Sequence, residues 1–191
     1  MTQTTPLAHP CERSLLPQQH LSKWTGLHGG WYATPQGDAR LGTLDLDRPY
    51  LALLERGQAV VECVVDAKSA VRNPRAGDMC LLVPNGPRIR HYRWQPRNTR
   101  QIKFQPDLRL LCEQGLLDER YRAMPLRQDL NFQDPELASL LRCMAHEIAS
   151  GCPNGTLFAQ SLSLGVARRL IQTHGALDVQ PERGRFTPPQ A

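Results

Sequence analysis

The chain has 191 residues, 40% of them apolar, and carries 23 Lys and Arg against 18 Asp and Glu, a formal charge of +5. That length suits one domain, or one domain with a small helical appendage. No run approaches the 18 consecutive apolar residues of a membrane span. Residues 1–10 lack the basic start and apolar stretch of a secretory leader, so a cytoplasmic protein is expected.

Two periodicities divide the chain. From about residue 20 to 105, short β-type runs are broken by Gly and Pro; from about 107 to 175 the patterns are helical. Gly30 to Ala33 and Arg40 to Leu46 are two early strand candidates on either side of a Pro35–Asp38 turn. Leu51 to Leu54 and the β-branched run Ala59 to Val65 read as strands. Glu55-Arg56-Gly57-Gln58 between them reads as a hairpin turn. Asn73 to Asp78 is a turn cluster, Met79 to Val83 a buried strand, and Pro84 to Pro87 another turn. Ile89 to Trp94 suits a half-exposed strand. Gln95-Pro96-Arg97-Asn98 turns again, and Thr99 to Phe104 follows. Several short strands at this spacing predict a barrel or sandwich.

Pro106 to Arg122 is a first helix candidate, interrupted by Gly115. A sharper helix opens at Asp134-Pro135, with Asp as N-cap and Pro in the first turn. Its apolar residues recur at helical spacing until Gly151 stops it. Asn154-Gly155-Thr156 starts another helix, which runs to about Gly175. The two form an αα-hairpin with a broad apolar stripe, to be covered by the barrel, by a second copy, or by both. Residues 178–191 hold three Pro and little apolar content, and read as linker.

The charge is uneven: nine Lys or Arg and one acid lie between Lys68 and Lys103. The run lacks the stacking aromatics of an RNA-recognition module, so a solvated face or an anion pocket is the preferred reading. The six cysteines, Cys11, Cys63, Cys80, Cys112, Cys143 and Cys152, include no CxxC pair. Most sit in apolar runs and are expected as free, small core residues. A redox-sensing thiol would need an exposed electropositive setting.

The order of parts resembles the N-terminal region of AraC-type transcription regulators. The segments that carry the likeness are Ser22 to Leu27, the turn-strand-turn run Arg75 to Gly86 with its Gly-Asp and Pro-x-Gly turns, the helix pair Asp134 to Arg142 and Gly155 to Leu170, and Arg183 to Pro188. The resemblance implies an α+β chain: a cupin-like β-barrel followed by a C-terminal αα-hairpin. It divides the chain into a flexible segment over 1–19, the barrel over 20–106, a helical dimerisation region over 107–175 and a linker over 176–191. It also implies a small-molecule effector in the barrel, homodimerisation through the helices, and DNA contact only through a helix-turn-helix half outside these residues.

Cupin enzymes hold a metal with His and Glu on paired strands. Here the residue three after Gly86 is Ile89, His91 stands alone, and no catalytic or metal site and no cofactor is expected. His146-Glu147 falls short of HExxH because position 150 is Ser150. Strand alternation puts Arg90, Tyr92 and Trp94 on one face and His91 on the other. Tyr92 and Trp94 are candidates to stack on an effector and Arg90 to pair with a carboxylate; sheet packing and solvated arginines are the competing reading. Gln101, Lys103, Tyr32 and Arg40 complete the candidate set. For the dimer surface the candidates are Leu137, Leu141, Met144, Ile148, Leu162, Val166 and Arg169. Two other functions stay open: a cupin-fold isomerase or dioxygenase, and a module that only dimerises.

Overall fold

Alternation along two unusually long strands organises the molecule. The computed structural model describes residues 24, 26–33, 37–44 and 46–176. Its strands are β1 (Leu27–Ala33), β2 (Ala39–Thr43), β3 (Tyr50–Val65), β4 (Lys68–Arg72), β5 (Met79–Leu82), β6 (Ile89–Pro106) and β7 (Asp129–Phe132). The helices are α1 (Leu108–Glu113), α2 (Pro135–Ala149) and α3 (Gly155–His174), with a short 3-10 turn at Glu119–Tyr121. All pairings are antiparallel, in the order β1-β6-β3-β5-β7, with β2 added to β6 and β4 to β3.

Two expected turns are not turns. Glu55–Gln58 lies inside β3, and Gln95–Asn98 lies inside β6. They face each other: Arg56 pairs with Arg100 and Gln58 with Arg97, so β6 carries an extra residue there. Gly57 has φ +84° and Asn98 φ +53°. A Cβ on Gly57 would overlap the carbonyl oxygens of Arg97 and Asn98. The turn-forming residues therefore bend two paired strands together instead of ending either one. The hairpin lies further on. Asp66 and Ala67, both at positive φ, reverse the chain from β3 into β4, as a two-residue turn of matching twist requires. The sequence reading missed β4 and β7. It also took residues 106–122 for a longer helix than α1. β7 lies beyond residue 106 yet pairs with β5, so the barrel sheet crosses the expected domain boundary.

The αα-hairpin forms as its capping residues predict. Asp134 Oδ1 accepts the Leu137 N–H at 3.0 Å, and Pro135 occupies the first turn. Asp134 Oδ2 also accepts from Arg169 Nε at 2.6 Å, tying the start of α2 to α3. The turn between the helices is held by Glu147, whose carboxylate accepts the Asn154 backbone N–H at 2.9 Å and side-chain amide at 2.8 Å. Burial alone would raise the Asp134 pKa. The Arg169 guanidinium and the Leu137 N–H outweigh it and hold the carboxyl below its ordinary value.

Gly57→Ala is expected to destabilise the fold by about 2 kcal/mol or more, from left-handed strain and backbone overlap combined. Urea denaturation would measure this, and a loss under about 0.5 kcal/mol would show that the bend tolerates a side chain.

Candidate functional site

The strand alternation gives the sheet two buried faces. Leu51, Leu53, Leu81, Ile102 and Phe104 point outward and pack against α2 and α3. Their neighbours Ala52, Leu54, Cys80, Leu82, Gln101 and Lys103 point the other way. With Val61, Cys63, Arg72, Tyr92 and Trp94 from the bent halves of the strands, they line a cavity of about 100 Å³ inside the barrel. A dry cavity of roughly 150 Å³ holds a benzene ring, so this space suits several waters or a small organic group.

The wall is mostly apolar, with Arg72, Gln101, Lys103 and Asn131 among its polar members. Lys103 is 3% exposed, and burial pulls its pKa down to about 7. Trp94 Nε1 and Arg72 Nε are buried with no hydrogen-bond partner among the described residues. Asp78 also borders the cavity, but its carboxylate is engaged elsewhere, accepting from Arg75 N at 2.8 Å and Gln133 Nε2 at 2.7 Å. Burial raises the Tyr50 and Tyr92 hydroxyls and the Cys63 thiol, and pushes Cys80 up to about 12. These groups stay neutral at pH 7, so the cavity thiols lack the thiolate character that a redox sensor needs.

The candidate ligand residues divide. Tyr92, Trp94, Gln101 and Lys103 reach the cavity. Arg90 and His91 do not: both are exposed. The reason is a bulge. Glu62 pairs with Arg93 and Val64 with Arg90, so β6 holds one extra residue, and His91 takes φ +50°. Strict alternation ends there, and Ile89 shares the lumen with Tyr92 while Arg90 turns outward. Arg40 is also exposed, and the side chain of Tyr32 lies outside the described residues. The sequence reading missed Arg72, because the polar run Lys-Ser-Ala-Val-Arg does not look like a strand. Its register opposite Val61 is the only signal, and that needs the hairpin to be placed first. The basic run is partly neutralised by acids from β3 and from Asp38, just ahead of β2. Arg93 bonds Asp38 at 2.9 Å and Glu62 at 3.4 Å, and Arg100 meets Glu55 at 2.5 Å. Among the described residues no three His, Cys, Asp or Glu side chains cluster closely enough to hold a metal.

The expected dimer residues are placed differently. Leu137, Leu141, Met144, Ile148, Leu162 and Val166 are buried within the single chain, against the outer face of the sheet and between the helices. Arg169 binds Asp134 and Glu136. The stripe of the helix pair is spent on the protomer's own core, so these side chains are not open to a second copy. Leu157 and Phe158, at the start of α3, remain 78% and 41% exposed.

No protein-family model and no curated protein sequence matches the chain. Solved structures do. ToxT from Vibrio cholerae, an AraC-family regulator, matches with TM-score 0.53 and 10% identity, over 83% of this chain and 61% of that one. ToxT bound to (E)-4-(8-methylnaphthalen-1-yl)but-3-enoic acid matches with TM-score 0.51 and 11% identity, over 78% and 58%. A mutant oxalate decarboxylase from Bacillus subtilis matches with TM-score 0.37 and 14% identity, over 64% and 37%. The fold is α+β and cupin-like. The chain spans 37 to 61% of the length of these structures, and at such identities the likeness is one of fold.

Lys103 makes stability depend on pH. The unfolded chain holds the lysine proton up to about its ordinary 10.5, the folded chain only up to about 7. Between those values the unfolded state binds more protons, so stability rises with pH through that window, by up to about 1.4 kcal/mol per unit. Below pH 7 the cost of the buried charge is fully present. Urea midpoints at pH 7, 8 and 9 should therefore climb in the native chain, and Lys103→Met should raise the pH 7 midpoint and flatten the slope.

Proposed function

We propose that this chain is the effector-sensing and pairing part of an AraC-type transcription regulator, cytoplasmic and without catalytic activity of its own. The observation that carries the reading is the two-faced sheet. Ile102 and Lys103, or Leu51 and Ala52, are adjacent residues that touch the helices on one side and the cavity on the other. A molecule that fills the cavity therefore presses on the same strands that carry α2 and α3. An effector that fits one arrangement of sheet and helices better than another shifts the balance between them, and the helices pass that bias to a DNA-binding half. The barrel likeness to ToxT supports this reading, as does the small organic acid that ToxT holds. A non-catalytic role agrees with cavity thiols and phenols that burial keeps neutral.

Pairing belongs to the exposed start of α3 in this reading, not to the buried stripe. Leu157→Glu with Phe158→Glu should give a folded monomer in analytical ultracentrifugation if two copies meet there. Leu141→Asp should instead unfold the chain, because it puts a charge into the core. A folded double variant that remains dimeric would move the interface elsewhere.

Sensing is tested by thermal shift against sugars, amino acids and small carboxylates. A compound bound only by the folded chain, at a hundred times its dissociation constant, adds roughly 2.7 kcal/mol and raises the midpoint by several degrees. A shift abolished by Trp94→Ala places the compound in the barrel. A dimer that responds to nothing in a broad library would leave a pairing module alone.

A further inference from the structure

We infer that the outer face of the β2-β6-β3-β4 half of the sheet binds the phosphate backbone of duplex DNA, through Arg40, Arg75, Arg90 and Arg97. This surface lies outside the cavity, and the inference goes beyond the sensing reading without resting on it.

Strand register assembles the face. From Gln58 to Glu62, β3 pairs with β6 without a shift. Ala59, Val61 and Trp94 are turned inward and buried together. Gln58, Val60 and Glu62 therefore point out, beside Arg97, Gln95 and Arg93. Gln58 also pairs with Arg75 in an isolated bridge, so Arg75 and Arg97 stand on either side of it. Further along, Arg40 of β2 pairs with Arg93. Beyond the bulge at His91, Arg90 lies opposite Val64 and turns outward. Arginines far apart in sequence thus share one exposed surface. From Gln58 to Val64 that surface runs roughly 20 Å along β3. Helices α2 and α3 pack elsewhere, against Leu51, Leu53, Ile102 and Phe104.

Charge and shape select the partner. The face carries two carboxylates, Glu62 and Asp38, and both bond Arg93, at 3.4 and 2.9 Å. Arg40, Arg75, Arg90 and Arg97 are exposed and make no ion pair among the described residues. Guanidinium forks bind phosphate oxygens two at a time. A duplex carries about one phosphate per 1.7 Å of its axis, so a face of this length meets more phosphates than it has arginines. Single strands are held largely by stacking their bases on aromatic rings. Tyr92 and Trp94 point into the cavity instead, which leaves the face suited to backbone contact that is independent of sequence.

The test is fluorescence anisotropy of the full 191-residue protein with a labelled duplex of about 20 base pairs and mixed sequence, starting at about 50 mM salt. The logarithm of the affinity is expected to fall with the logarithm of salt at a slope of about −3.6, the value for four phosphate contacts. A second duplex of unrelated sequence should bind within about twofold of the first. Arg75→Gln with Arg97→Gln, and separately Arg40→Gln with Arg90→Gln, should each weaken binding at least about tenfold and make the slope shallower by about 1.8. Arg93 stays native in every variant, so its ion pairs with Asp38 and Glu62 are kept. Arg168→Gln, which removes an exposed arginine of α3, should leave affinity within about twofold. Absence of binding at about 50 mM salt overturns the inference. Affinity unchanged in both paired variants overturns it too, as does tighter binding of the single strand than of the duplex. Vesicles of phosphatidylcholine and phosphatidylserine, bound through these arginines while the duplex is not, would give the face to a membrane and overturn the assignment to DNA.

Discussion

A sheet buried on both faces is the constraint on which the rest of this molecule depends. A surface sheet spends one face on the core and leaves the other to water. Here one face is covered by α2 and α3 and the other lines a cavity. Where β3 and β6 pair over Leu51–Leu54 and Gln101–Phe104, their residues must therefore suit an interior. Residues 101 to 106 are all buried, and the alternation Gln-Ile-Lys-Phe puts Gln101 and Lys103 on the lumen side and Ile102 and Phe104 on the helix side. A polar residue pointing at the helices would be stranded in hydrocarbon.

Electrostatics follow from that geometry. Most of the arginines of the basic stretch lie on strands whose outer edges reach water, and two of them, Arg93 and Arg100, meet acids from elsewhere in the chain. Lys103 is different because its register puts it inside. Its depressed pKa reflects that placement. Asp134 shows the opposite outcome of burial: two donors aimed at one carboxylate overcome desolvation and keep the charge.

Much of the fold was legible from the residues, and the failures share a cause. Caps and stops are local, so the αα-hairpin, with its Asp134-Pro135 start and its break at Gly151, could be read directly. Tyr92, Trp94, Gln101 and Lys103 were legible as lumen candidates because period-two alternation is local too. What failed needed knowledge of a partner strand. Gly57 and Asn98 look like turn residues, and only their pairing across β3 and β6 makes them a shared bend. The bulge at His91 reverses the facing of Arg90, and nothing in the run Ile-Arg-His-Tyr-Arg-Trp announces it. The apolar stripe of the helices was visible, but which surface would cover it was not. A stripe reads the same whether its cover is a sheet of its own chain or a second copy.

The extra residue at His91 has a further implication for how such a barrel changes its contents. Removing the bulge by deleting His91 would leave Ile89 beside Tyr92 in the lumen and Arg90 outside, whereas straightening it at the same length would carry Arg90 inward and Ile89 outward. Loop insertions are the familiar way for a scaffold to acquire new specificity. In this chain a bulge inside a strand, and not a loop, sets which side chains of β6 face the interior.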